Sequence, residues 1–292
     1  MNPSYLWKWA GAIFRRRVAR ASIAEQAARV RRHGQRVDSL VQASEPDLLS
    51  VLIPARGAEP YIGECLASIL GQALPEGLRL EVLVGIDACE GTRAAVFRYL
   101  AEIPGGQAVQ VRAIFYPDPL GVYVMQNSLV LASRGAWVHI VGADDALEPG
   151  MLEPLCRFAA ECAACTPAFI LRPTGVLCNE RLERIPGKPA FPIKGAIFFS
   201  KAILAKLGGF APWSCAGDAD FLRRADRKNL PVYVCPSISY LYRQHGVQLS
   251  RKAGTHLKSE IRACYWRMTD RRIVRGEIRE IPVVGRPEEA GA

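Results

Sequence analysis

Hydrophobic residues make up 50% and charged residues 23% of this 292-residue chain, enough apolar material for one buried catalytic core with appendages. No run reaches the roughly 18 to 20 apolar residues of a spanning helix, no small-residue cleavage site follows a long apolar segment, and the nine scattered cysteines form no compact disulfide framework; a secreted or membrane-spanning protein is not expected, and a reducing cytoplasm fits. The net charge of +10 is concentrated at the ends, with +8 in residues 1–36 and +6 in residues 251–275, so the ends read as attachments for an anionic surface and the centre as slightly acidic.

The opening Tyr5-Leu6-Trp7-Lys8-Trp9-Ala10-Gly11-Ala12-Ile13-Phe14, followed by Arg15-Arg16-Arg17, suits a lipid interface, with Trp rings at headgroup level and Arg on phosphates. A helix packed on the protein's own surface is the alternative. Nucleic acid is not an expected partner, because no nucleic-acid-binding motif accompanies the basic residues. From Leu48 onward, short runs rich in Val, Ile and Leu alternate with helical patterns. Leu48–Pro54, Leu80–Ile86, Val109–Phe115 and Ala136–Val141 read as buried strands. Between them, Tyr61, Cys65, Leu66, Ile69 and Leu70 mark one helical face, and residues 92–101 and 122–134 read as two more helices. The alternation predicts right-handed crossovers and a mostly parallel sheet. Ligands of such sheets sit beyond the carboxyl ends of the strands, so Pro54 to Arg56, Asp87 and Asp144-Asp145 are expected to converge.

Cys162 and Cys165 have zinc-knuckle spacing, but no second Cys or His pair follows, and they read as small residues on a helix. Phe169–Leu171, Ala196–Phe199, Val232–Cys235 and Tyr240–Tyr242 read as further strands. Ala202–Leu207 reads as a short helix closed by Gly208-Gly209, and Asp218–Lys228 as another. Residues 276–292 read as a loose tail, and no internal repeat is present.

Three acidic stations follow in order. The first is Val51-Leu52-Ile53-Pro54-Ala55-Arg56 with the helix after it, joined by Glu81-Val82-Leu83-Val84-Gly85-Ile86-Asp87 and Gly91-Thr92. The second is Trp137-Val138-His139-Ile140-Val141-Gly142-Ala143-Asp144-Asp145. The third is Ala216-Gly217-Asp218-Ala219-Asp220 after Gly208-Gly209-Phe210. Together they resemble the inverting glycosyltransferases of family 2 over residues 48 to 250, with Ile86 and Gly142 standing where that family has aspartates. The resemblance implies a GT-A fold, a Rossmann-like α/β domain with a mostly parallel mixed sheet flanked by helices. It divides the chain into a basic amphipathic segment (1–47), the transferase domain (48–250), a basic C-terminal helix (251–275) and the tail (276–292).

By the same resemblance, Pro54, Ala55 and Asp87 take the uracil and ribose of a UDP-sugar, and Asn127 touches its sugar or phosphate. Asp144 holds a divalent cation, manganese or magnesium, with Asp145 in support, because carboxylate oxygens suit such ions. Asp218 is the expected base that takes the proton of the acceptor hydroxyl. Arg243 offers a planar fork for phosphate oxygens, His245 assists or ligates metal, and Trp213 forms a platform for a sugar face of the acceptor. An N-cap before a helix is the alternative role for Asp144 and Asp218, and a core position is the alternative for Trp213. The expected protein is a peripheral, hexosyltransferase-like enzyme on the inner face of the cell membrane that moves a sugar to a glycan or lipid-linked acceptor in surface-polysaccharide synthesis. A catalytically impaired nucleotide-sugar-binding or scaffold protein of the same fold is the other reading.

Overall fold

The computed structural model describes residues 44–103, 109–252 and 254–274. The expected interfacial segment at residues 1–36 and the tail at 276–292 lie outside them.

Four parallel strands form one half of the sheet: β1 (Glu45–Ala55), β2 (Arg79–Asp87), β3 (Gln110–Tyr116) and β4 (Gly135–Ile140). The crossovers carry helices α1 (Ile62–Leu70), α2 (Glu90–Glu102) and α3 (Val122–Ala132). Helix α1 forms because Ile62, Cys65, Leu66 and Ile69 recur with the spacing of one helical face, and all four are buried. Successive strand residues point to opposite sides. Val51, Ile53, Val82 and Val84 enter the core under α1, while Leu52, Leu83, Val138 and Ile140 enter the core under α3. Gly85 is required where α3 crosses β2, since a Cβ there would lie 2.4 Å from the Met125 sulfur.

The second half contains β5 (Ala146–Leu147), α4 (Leu152–Cys165), β6 (Ile170–Cys178), β7 (Phe191–Pro192) and β8 (Phe198–Ser200). A 3-10 turn (Lys201–Ile203) leads into α5 (Leu204–Leu207), followed by α6 (Gly217–Arg227), β9 (Val232–Arg243) and α7 (Glu260–Val274). The sheet order is β3-β2-β1-β4-β8-β6-β9-β5, with β7 paired to β6. Strand β8 runs antiparallel to both β4 and β6, whereas β6 and β9 are parallel, so the sheet is mixed as expected.

Two strand predictions merge into the single long β9, which changes register against β6 between Pro173 and Thr174. The basic segment 251–275 is helical only from Glu260. Strands β5 and β7 are too short to leave a sequence pattern. Among the described residues no helix is long and apolar enough to cross a membrane.

Candidate active site

The carboxyl ends of β1, β2 and β4 open into a cavity of about 710 Å³. Its lining includes Pro54, Ala55, Arg56 and Asp87 after β1 and β2, Gly142, Asp144 and Asp145 after β4, His245, and Tyr123, Gly195 and Ser214. The convergence expected from the parallel half is therefore present.

Asp87 accepts the amides of Leu120 at 2.6 Å and Gly121 at 3.0 Å, fixing the turn in which Gly121, at φ 81, starts α3. Arg56 stands 3.8 Å from the same carboxylate. Each oxygen retains acceptor capacity toward the cavity. The turns after β1 and β2 are tied together through Glu59, which accepts the Cys89 thiol and the Thr92 hydroxyl. A Cβ on Gly91 would lie 2.4 Å from Glu59.

The acidic pair after β4 divides into two roles. Asp145 is 4% exposed, with one oxygen accepting the Arg243 amide at 2.8 Å and the other the Tyr240 hydroxyl at 2.8 Å. Burial, then the neighbouring Asp144 charge, pushes its pKa well above the usual carboxylate value. The Tyr240 hydroxyl in turn accepts the Gly142 amide at 2.9 Å. The expectation of Asp145 as a supporting metal ligand is corrected accordingly: its two oxygens bind the end of β9 to the end of β4. Asp144 is more open and accepts from or donates to a single side chain, the Nε2 of His245 at 2.8 Å. His245 Nδ1 is buried without a hydrogen-bond partner among the described residues.

Gly142 is where the resembled family has an aspartate, and the space for that side chain is taken. A Cβ at 142 would lie 2.6 Å from an Asp145 oxygen and 3.0 Å from an Asp144 oxygen. Among the described residues no cluster of three or more His, Cys, Asp or Glu is placed to hold a metal. Asp144 and His245 are close enough to act together, one oxygen and one nitrogen donor. That set fits a divalent cation whose remaining positions are filled by ligand oxygens and water.

Three other expectations are corrected. Arg243 is 1% exposed and each of its three guanidinium nitrogens donates, to Asp144 O at 2.7 Å, Glu64 at 2.6 Å and Glu180 O, over the Tyr61 ring. It braces the loop carrying Asp144 and, buried outside the cavity lining, offers no fork to phosphate there. Asn127 is fully buried and bonds Phe210 through both atoms of its side-chain amide, Oδ1 accepting from Phe210 N at 2.8 Å and Nδ2 donating to Phe210 O at 2.9 Å. It anchors the Gly208-Gly209-Phe210 turn. Trp213 is 2% exposed and stacks on Tyr265 of α7 with centroids 4.6 Å apart, so neither ring face is open to a sugar.

Asp218 lies in the first turn of α6, where the helix dipole favours negative charge. The entry to α6 is unusual, because Ala216 adopts φ 64 and Gly217 follows it. A Cβ on Gly217 would sit 2.7 Å from the Tyr123 ring. This close approach lets the Tyr123 hydroxyl donate to Asp218 Oδ1 at 2.8 Å. Asp218 Oδ2 has no hydrogen bond among the described residues and stands behind Gly195, where a Cβ would be 3.9 Å away. Asp220, by contrast, is buried in a pair with Arg224 at 2.8 Å and a bond from Thr269 at 2.9 Å. Arg56 was expected at the convergence, whereas Tyr123 and Tyr240 were not singled out from sequence. Tyr123 and Tyr240 sit in apolar runs that read as core, and their hydroxyls become significant only through the acids they meet.

The description "Glycosyltransferase like family 2" matches residues 46–245. The uncharacterized glycosyltransferase EpsJ of Bacillus subtilis (strain 168) is 25% identical over 114 residues, 39% of this chain and 31% of EpsJ. Among solved structures, S. aureus TarS 1-349 in complex with UDP-GlcNAc aligns with a TM-score of 0.53 at 17% identity, covering 68% of this chain and 59% of TarS 1-349. The mannosyltransferase PcManGT from Pyrobaculum calidifontis, in complex with GDP-Man and Mn2+, aligns with a TM-score of 0.52 at 16% identity, covering 91% of this chain and 73% of its own. At these identities the structural likeness is one of fold. The chain spans about a third of the EpsJ length and about three fifths of TarS 1-349.

Proposed function

The chain belongs to the glycosyltransferase-like family 2 and has the GT-A fold, and from that premise we propose that it transfers a sugar from a nucleoside diphosphate sugar to an acceptor hydroxyl with inversion. The observation that carries this reading is the arrangement around one cavity. Pro54, Ala55, Asp87 and the Asp144–His245 pair line it together with Tyr123 and Gly195, and Asp218 stands behind that lining, bonded to the Tyr123 hydroxyl.

In this reading the base and ribose lie against Pro54, Ala55 and Asp87, and the resemblance favours uridine. Asp144, with His245, would hold a manganese or magnesium ion, which when bound offsets the charge of the leaving diphosphate. Asp218 takes the proton from the acceptor hydroxyl as that oxygen attacks the anomeric carbon from the side opposite the diphosphate. The Tyr123 hydroxyl orients the carboxylate through Oδ1 and leaves Oδ2 for the proton. The basic ends support a position at the inner face of an anionic membrane. A lipid-linked or polysaccharide-precursor acceptor follows from that placement.

The test is turnover of a panel of UDP- and GDP-sugars with and without manganese. Release of nucleoside diphosphate from one donor, increased by an acceptor, is the expected outcome. Tight nucleotide binding with no turnover of any donor would instead favour the impaired, binding-only reading.

A further inference from the structure

Beyond the reaction itself, we propose that residues 246–252 and 254–258 form a membrane-docking surface, which seats the mouth of the cavity on an anionic lipid surface. It extends the proposed transfer by naming the surface that meets the acceptor's side of the cavity, and its test does not depend on transfer.

Large apolar side chains stand out of the surface here more than elsewhere. Val247 is 66% and Leu257 68% exposed, with Leu249 also exposed between them. The same segment carries Arg251, Lys252 and Lys258, all exposed, and neither Lys252 nor Lys258 has an ion-pair partner among the described residues. Apolar tips interleaved with free cations are complementary to a surface with anionic headgroups over acyl chains. Isolated exposed apolar residues are ordinary on soluble proteins, but three in one short basic segment are not.

The loop is also built to hold these tips outward. Its backbone bonds close on themselves, from Arg251 N to Gln248 O at 2.9 Å, Thr255 N to Lys252 O at 3.0 Å and His256 N to Lys252 O at 2.8 Å. The Thr255 hydroxyl caps Leu249 O at 2.6 Å. Buried Gln248 pins the base to Arg243 O at 2.7 Å. These bonds fix the turns between the tips, so the apolar side chains are held out without ordering the loop anew on binding.

Position links the loop to the cavity. Val247, Leu249 and Lys252 line it, as do Ile193 and Gly195. Next to those last two, Lys194 Nζ and the Arg223 guanidinium flank the ring of Trp266, 6.0 and 5.5 Å from its centroid. A half-exposed Trp between two cations has the character of an interfacial anchor.

The experiment uses the full chain with Leu257→Cys labelled by an environment-sensitive fluorophore, against identically labelled wild type as background. On vesicles of phosphatidylcholine with phosphatidylglycerol, the emission at position 257 should shift to the blue and brighten about twofold. Vesicles of phosphatidylcholine alone should leave it unchanged. Lys252→Glu/Lys258→Glu in the same labelled chain should weaken the vesicle-concentration dependence of the shift by about tenfold or more, as expected for charge reversal at an anionic surface. Sedimentation with the anionic vesicles without a shift would place the contact elsewhere, at the N-terminus for example, and overturn the proposal. So would an equal shift on neutral vesicles, the absence of vesicle binding, or a shift that grows with protein concentration alone, which would make a second copy of the chain the occupant.

Discussion

Glu81, near the amino end of β2, and the pair Asp144 and Asp218 at the far end of the sheet are acids that behave differently. At the amino end, Glu81 is fully buried and saturated. It accepts the Ser50 hydroxyl and the Arg134 amide, each at 2.6 Å, and pairs with Arg134 at 3.3 Å and Arg112 at 3.4 Å. Burial alone would raise its pKa, but the bonds from Ser50 and the Arg134 amide, with Arg112 beside it, hold it below the usual value. Asp144 in the cavity lining and Asp218 behind it keep free valence. Asp218 has one oxygen bonded and one open, and Asp144 meets one imidazole. An acid that closes its bonds locks a fold, while an acid left partly open is available for chemistry.

The contrast is broken most severely by Glu81→Ala. Two arginines and a buried serine would lose their common partner, and thermal or denaturant unfolding should show a loss on the order of 3 kcal/mol, the lower scale for breaking a buried charge network. Nucleotide-sugar affinity of the folded fraction should be unchanged; an unaltered midpoint would mean that the network is not structural.

Asp218→Asn reverses the pattern. Asn still accepts from Tyr123 but cannot take a proton, so stability and donor affinity should stay near wild type while kcat falls about 100-fold or more. Turnover within a few-fold of wild type would reduce Asp218 to a helix cap.

A smaller effect is expected at Asp144→Ala. Arg243 braces the Asp144 carbonyl rather than its carboxylate, so the loop should survive. Donor dissociation constants measured with manganese should rise on the order of tenfold, and without metal much less. Equal weakening under both conditions would remove Asp144 from the metal site.

The mildest test returns to the amino end, where Lys201 is buried against the Ser133 carbonyl at 2.6 Å. Burial lowers its pKa from 10.5 to about 8. Between those values the unfolded chain holds the extra proton, so stability should rise with pH in that window. The rise is on the order of 1 kcal/mol across one pH unit inside it. In Lys201→Met that rise should vanish, leaving the two unfolding curves parallel in pH only if the assignment is wrong.

Much of this was legible in the chain. Alternating Val, Ile and Leu runs marked the four parallel strands, the spacing of Ile62, Cys65, Leu66 and Ile69 marked α1, and strand ends marked Pro54, Ala55, Asp87 and Asp144 as neighbours. Those are local or topological consequences of period and crossover handedness. Sequence could not tell Asp144 from Asp145, or show that Arg243 faces inward, that Asn127 holds Phe210, or that Trp213 lies under Tyr265. The partners that decide these roles come from distant parts of the chain, as Tyr240 does for Asp145 and Tyr123 for Asp218. Residue type sets what a carboxylate or guanidinium can bond, but which of its bonds are already closed depends on packing, and only the tertiary structure decided that.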